Sequence, residues 1–166
     1  MSAPSDSSVR LRPAAPADVR AIAEFQTRCW AEAYRGLVPQ SYLDRMTVAE
    51  RETRWRGRVQ SRRYRVLLAE LDGRLVGVGS ARRAHGIGVP PLELRTLYVD
   101  AAQRGRGVAT TLIEATIGTA AAFLWVFAEN PRARAFYAKH GFSPDGHGKT
   151  DPDTGVWEIR LTRPAV

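Results

Sequence analysis

Residues 92–112 read LELRTLYVDAAQRGRGVATTL, and the fold follows from how this stretch is divided. The first eight residues predict a β-strand, with Leu92, Leu94, Thr96 and Tyr98 on one face and Glu93, Arg95, Leu97 and Val99 on the other. From Val108 the run VATTLIEATIGTAAAF has helical spacing, although its threonines and Gly118 lower intrinsic propensity and leave packing to hold it. A strand, a glycine-rich turn and a helix in this order suit an anion for a physical reason. The first helical amides lack intrahelical partners, the helix dipole is positive at that end, and glycines let a phosphate approach the backbone. The turn has no G-x-x-x-x-G-K-[ST] pattern, and Gly105-Arg106-Gly107-Val108-Ala109 lacks the third glycine of a dinucleotide fingerprint. On spacing alone, a phosphate cradle and a structural turn with solvated arginines both stand.

Upstream, YRVLLAEL and RLVGVGSARR are β-prone runs joined by Asp72-Gly73, which predicts a hairpin with a two-residue turn. Val9 to Pro13 alternates as a short strand. Pro16-Ala17-Asp18 then opens a helix to about Tyr34, with Val19, Ile22, Ala23, Phe25, Cys29, Trp30 and Ala33 as its apolar stripe. Gly36 to Pro39 ends it, and two helical pieces follow between Gln40 and Arg63, the second rich in arginine. Downstream, FLWVFAE is an unbroken apolar run of strand length, which predicts a strand covered on both faces. Asn130 is placed to cap the next helix, Pro131 to begin it and Gly141 to end it after RARAFYAKH. FSPDGHGKT and GVWEIRLTR read as a final strand pair around the turn-rich DPDTG. No repeat or linker interrupts this order, so residues 9–166 are expected to form a single domain after a small, polar, disordered start at 1–8.

The 166 residues and 44% hydrophobic content suit one core. A formal charge of +8 would suit a polyanionic partner, but Lys139 and Lys149 are the only lysines. The excess is almost all arginine, a compositional bias that does not by itself define a surface. The rival reading is a nucleic-acid-binding module built on the arginines at 51, 54, 56, 58, 62 and 63 with Trp55 and Tyr64. No nucleic-acid motif accompanies them, and a charged helical face is ordinarily solvated, so this rival is disfavoured. Cys29 is the sole cysteine, which excludes an internal disulfide and fits a reducing cytosol; it reads as buried packing. No export signal or membrane-length apolar run occurs, and a cytoplasmic location is expected. His85, His140 and His147 have no metal-ligand spacing, so no metal is expected.

Arg104-x-x-Gly107-x-Ala109, preceded by LRTLYVD and followed by a helix, resembles the acetyl-CoA signature R/Q-x-x-G-x-G/A of the GNAT N-acetyltransferase superfamily. A second feature, Asn130 and then Tyr137 in NPRARAFYAKHGF, follows the next strand in the order the family shows. The resemblance runs from the first helix to the last strand and includes CWAEAYRGLVPQSYLD, where such enzymes build their acceptor side. It implies an α/β (α+β) fold with a mixed, mainly antiparallel twisted sheet flanked by helices. It also implies acetyl-CoA as cosubstrate and transfer to a primary amine through a ternary complex. The pyrophosphate would lie on Arg104, Gly105, Arg106, Gly107, Val108 and Ala109, and the pantetheine arm along Leu97, Tyr98 and Val99, with Asn130 presenting its amide to that arm.

Direct attack on a thioester needs a deprotonated nitrogen, donors for an oxyanion and a proton for the departing thiolate. By analogy with the family, Tyr137 is the general acid and Glu93 the base acting through water. Each has a plain alternative. Ala133, Phe136, Tyr137 and His140 share one helical face and suit packing, Asn130 serves as an N-cap, and Glu93 suits an exposed strand carboxylate. Glu129 and Glu32 are lesser base candidates, and Tyr34 is expected to line the acceptor pocket. The positive chain would repel polyamines, which favours an amino acid, an anionic amine or an acidic peptide over them. A protein or peptide amine remains the alternative acceptor, and a non-catalytic acyl-CoA-binding protein the alternative outside catalysis. A homodimer through the C-terminal strands is compatible with the resemblance.

Overall fold

The computed structural model describes residues 8–166; the expectation of disorder over 1–7 lies outside the described residues. The first strands form a meander. β1 (Arg10–Pro13) pairs with β2 (Tyr64–Leu71), β2 with β3 (Arg74–Arg83) and β3 with β4 (Leu92–Val99), all antiparallel. Asp72 and Gly73 both take positive φ, 51° and 75°, the geometry that a two-residue hairpin turn requires. Between β1 and β2 the chain makes α1 (Val19–Ala33), α2 (Gln40–Arg45) and α3 (Val48–Gln60). A reciprocal cap starts α3: Thr47 Oγ1 accepts from the Glu50 amide at 3.2 Å, and Glu50 Oε2 accepts from the Thr47 amide at 2.9 Å.

After β4 come α4 (Val108–Ile117), β5 (Ala122–Phe127), α5 (Pro131–Lys139), β6 (Ser143–Thr150) and β7 (Trp157–Arg163). All seven strands join one sheet in the order β1-β2-β3-β4-β5-β7-β6, in which only β4 and β5 are parallel. This is the mixed, mainly antiparallel sheet flanked by helices that the sequence predicts. Strand alternation sorts the core. Val66, Leu68 and Val78 pack under α1 and α3 with Phe25 and Trp55, while Leu67, Ala69 and Val76 pack under α4 with Val108 and Leu112. Helix α4 lies hard against β3, since a Cβ at Gly77 would stand 2.6 Å from Leu112 Cδ1 and one at Gly79 2.6 Å from Thr116 Oγ1.

One expectation is corrected. Strict alternation along β4 fails because a bulge separates the register pairs Ser80↔Thr96 and Ala81↔Leu94 and leaves Arg95 as the extra residue. Leu94 and Leu97 both pack against the core under α4, whereas Tyr98 packs on the α1–α3 side and Thr96 accepts from Arg58 of α3. The bulge also marks where β4 leaves its parallel neighbour. The β4–β5 ladder consists of Leu92↔Ala122 and Glu93↔Phe123, and beyond these the two strands share no pair among the described residues.

Candidate active site

The parting of β4 and β5 opens a cleft of about 860 Å³. Its walls bring together Leu97, Tyr98, Val99, Arg104, Gly105, Gly107, Val108, Ala109, Asn130, Tyr137 and Glu93, residues that the sequence nominates one motif at a time. Arg106 is exposed and does not line it, and neither do Glu32 and Glu129. Tyr34 does, with its ring 5.1 Å from Phe127.

At one end stands the glycine turn. Gly105 and Gly107 have φ of 74° and 83°, and nothing lies within 4 Å of where either Cβ would be. Conformation, not crowding, therefore requires glycine there, and the space above the turn is open. The first helical bond of α4 runs from the Thr111 amide to the Gly107 carbonyl at 2.9 Å, so the amides of Val108, Ala109 and Thr110 have no helical acceptor. Arg132, which sequence reading passed over, joins Arg104 in the cleft wall; burial first, and then the Arg104 charge, lower its pKa. Two cations in the wall of a cleft that also carries amides without helical acceptors suit an anionic ligand. Asn130 caps α5, its Oδ1 accepting from the Ala133 amide at 3.2 Å.

Tyr137 lies farther along α5, edge-on to Phe136 at 5.4 Å and to Phe142 at 5.9 Å. Burial first, and the neighbouring Tyr98 second, push its phenol well above the usual range, so it stays protonated at any physiological pH. The expected packing role and a proton-donating role coexist in this position. Glu93 is 3% exposed, not the open strand carboxylate that the plain reading supposes. One oxygen accepts from Arg82 Nε at 2.7 Å and the other from Arg95 at 2.9 Å, so each already serves a guanidinium.

The carboxylate that sequence reading missed is Glu158, opposite Phe127 in the β5–β7 ladder. Its side chain is 15% exposed, and its nearest cation, Lys149 Nζ, stands 3.9 Å away while also sitting 4.3 Å from the Trp125 ring centre. Burial first, then the negative charge of Asp151, raise Glu158 to about 7, against the opposing pull of Lys149. A carboxyl poised there accepts a proton near neutral pH. Nothing in VWEIRL signals this, because the position depends on the β5–β7 register and on the gap beside β4.

The half of the cleft away from the glycine turn is walled by aromatic rings and bounded by α3. Trp30 meets Tyr34 at 4.7 Å and Tyr42 at 5.9 Å, and Arg54 of α3 reaches Asp153 in the β6–β7 loop at 3.1 Å. The expectation of a wholly solvated arginine face on α3 is wrong for part of it, since Arg51 is 3% exposed and Trp55 1%. Arg51, Arg54, Trp55 and Arg58 recur at helical spacing, so the arginines flank the buried tryptophan and turn with it into the cleft.

The sequence model of the family described as "Acetyltransferase (GNAT) family" matches residues 21–142. The chain belongs to this family. An uncharacterized N-acetyltransferase of Mycobacterium tuberculosis is 37% identical over 90 residues, so the match spans 51% of this chain and 56% of that relative. Among solved structures, this GNAT chain is similar to the PaiA N-acetyltransferase of Thermoplasma acidophilum in complex with coenzyme A, with a TM-score of 0.76 and 20% identity. That likeness covers 95% of this chain and 99% of the other. It is also similar to the ribosomal-protein-S18-alanine N-acetyltransferase of Escherichia coli, with a TM-score of 0.70 and 18% identity over 95% and 94% of the two chains. At such identities these likenesses bear on the fold. Among the described residues no helix is long and apolar enough to cross a membrane.

Proposed function

We propose that the protein transfers an acetyl group from acetyl-CoA to a small primary amine by direct attack within a ternary complex. The observation that carries this reading is one continuous cleft whose walls include the glycine turn, Tyr137 and the half-buried Glu158. Acetyl-CoA supplies the activated thioester. The residues present fit it: the open turn at Gly105 and Gly107, the free amides of Val108 to Thr110, and Arg104 with Arg132 would hold its pyrophosphate. The edge of β4 from Leu97 to Val99 offers backbone groups to the amide-containing arm, as an added strand would use them.

Within this frame Glu158 takes the proton of the incoming ammonium, and its raised pKa matches that task near neutral pH. Glu93, bound by Arg82 and Arg95, is the lesser base candidate and serves chiefly to hold Arg95 in the cleft wall. Tyr137 donates to the departing sulfur. From reference pKa values alone such donation is uphill by roughly 2 kcal/mol, and burial of the phenol adds to that, so its help is modest. The aromatic wall of Trp30, Tyr34, Tyr42 and Phe127 excludes water from the site of attack.

The test is calorimetric titration of acetyl-CoA into the wild type and Gly107→Glu, with the fold of each checked by circular dichroism. Binding by the wild type that is lost in a folded variant supports the cradle. Equal binding by both would refute it, and absence of wild-type binding would refute the cosubstrate.

A further inference from the structure

We infer that the acceptor amine carries an anionic group, a carboxylate or a phosphate, which pairs with Arg51 in the acceptor half of the cleft. The inference rests on acetyl transfer for the fate of the amine and on the surroundings of Arg51 for the anion. Arg51 lines the cleft at 3% exposure; its Nε is buried with no hydrogen-bond partner, and among the described residues no carboxylate pairs with it. Its guanidinium lies 5.1 Å over the Trp30 ring, near Tyr42 and Tyr98. The Trp30 ring compensates the guanidinium only in part, so an anion entering the cleft would supply the counter-charge that the described residues do not.

The carboxylates of this half are engaged elsewhere. Glu93 holds Arg82 and Arg95, Asp153 holds Arg54, Asp151 accepts from the Thr154 amide and hydroxyl at 2.9 and 2.6 Å, and Glu158 faces Lys149. Arg58, seven residues along α3 and so roughly 10 Å farther along its axis, also lacks a carboxylate; it donates to Thr96 Oγ1 at 3.3 Å and lies 4.9 Å over Trp55. The cleft thus presents uncompensated guanidinium on the α3 wall and a proton-accepting carboxylate on the β7 wall. A substrate bearing both an anion and an amine answers both walls, whereas a polyamine would bring more cation to the first.

The experiment compares the wild type, Arg51→Gln and Arg56→Gln. Arg56 is 53% exposed and pairs with Glu52 outside the cleft, so its substitution makes the same change of net charge away from the site. Release of CoA is followed with L-amino acids against their carboxamides and with 2-aminoethyl phosphate against ethanolamine, which separates a carboxylate from a phosphate. Melting curves with added acetate or inorganic phosphate, against chloride at equal ionic strength, read the anion without turnover. The expected result is a wild-type preference for one anionic probe that falls roughly 10- to 100-fold in Arg51→Gln and persists in Arg56→Gln. Saturable stabilisation by the matching anion should be lost in Arg51→Gln alone. Equal use of neutral probes by the wild type, or a preference that survives Arg51→Gln, overturns the inference while leaving acetyl transfer in place. If no amine releases CoA, acetyl transfer fails, and anion stabilisation that Arg51→Gln removes still supports the anion site; stabilisation unaffected by that change overturns it.

Discussion

Replacing Glu158 by glutamine should make the protein more stable at alkaline pH while slowing it as a catalyst. Burial and Asp151 raise the folded-state pKa of Glu158 from 4.5 to about 7, so the native chain holds a proton that the unfolded chain gives up. The sign follows from linkage: the stability associated with this proton is fully present below about 4.5, is lost as pH rises through about 7, and stays lost above. The difference amounts to about 3 kcal/mol at pH 8. Glutamine has the same shape without the charge, and Lys149, half-exposed, turns to solvent at little cost. Urea unfolding of both proteins from pH 4 to 8.5 should therefore give coincident midpoints at the acid end, separating by roughly 1 to 2 M at the alkaline end with the variant higher. In the same range the wild-type rate should climb through about pH 7 and level off, and the variant should lack that limb. A midpoint difference independent of pH would refute the buried-carboxyl argument. A variant retaining the limb would assign the base elsewhere, with Glu93 next in line.

Glu93→Gln should act with the opposite sign, lowering stability by about 2 kcal/mol near neutral pH because Arg82 and Arg95 lose their shared counter-charge; chemical denaturation checks it. Tyr137→Phe should slow acetyl transfer by roughly tenfold at neutral pH with acetyl-CoA binding retained in calorimetry, and an unchanged rate would leave the residue as packing alone. Gly107→Ala should cost about 1 kcal/mol by forcing a side chain to φ 83°, with no clash to add to it, read by thermal melting. Thr47→Ala should cost about 1 kcal/mol by removing the α3 cap, again read by melting.

The sequence displays the fold in nearly every element because its local signals agree with one another. Asp72-Gly73 requires the hairpin that β2 and β3 form, Asn130-Pro131 starts α5, and the FLWVF part of its run is covered on both faces as an unbroken apolar strand should be. The bulge at Arg95 escapes such reading, since LELRTLYV alternates as well without it as with it. The glycine turn proposed to hold the cosubstrate was legible for a related reason: Arg104 to Ala109 is a contiguous stretch whose geometry resides in its own backbone. The opposite side of the cleft was not, because Glu158, Arg51 and Asp151 come from β7, α3 and the loop after β6, and meet only through the register of strands far apart in sequence.

Gly77 and Gly79 touch no part of the cleft, yet they set its gauge. Because neither has a side chain, Leu112 and Thr116 of α4 seat directly on the β3 backbone, and the leading end of that helix carries the glycine turn proposed to hold the pyrophosphate. Glu158 rides on a different strand and would stay behind if that helix rose. On the proposed reading the cosubstrate arm has a fixed length, so wherever Leu112 or Thr116 could not turn aside from a methyl group at either glycine, the anchor would shift relative to the reacting end, and displacements of about 1 Å can slow a reaction by roughly a hundredfold. Two absent side chains thus act as a spacer of zero thickness, and the span from anchor to reaction is machined into the layer beneath the helix.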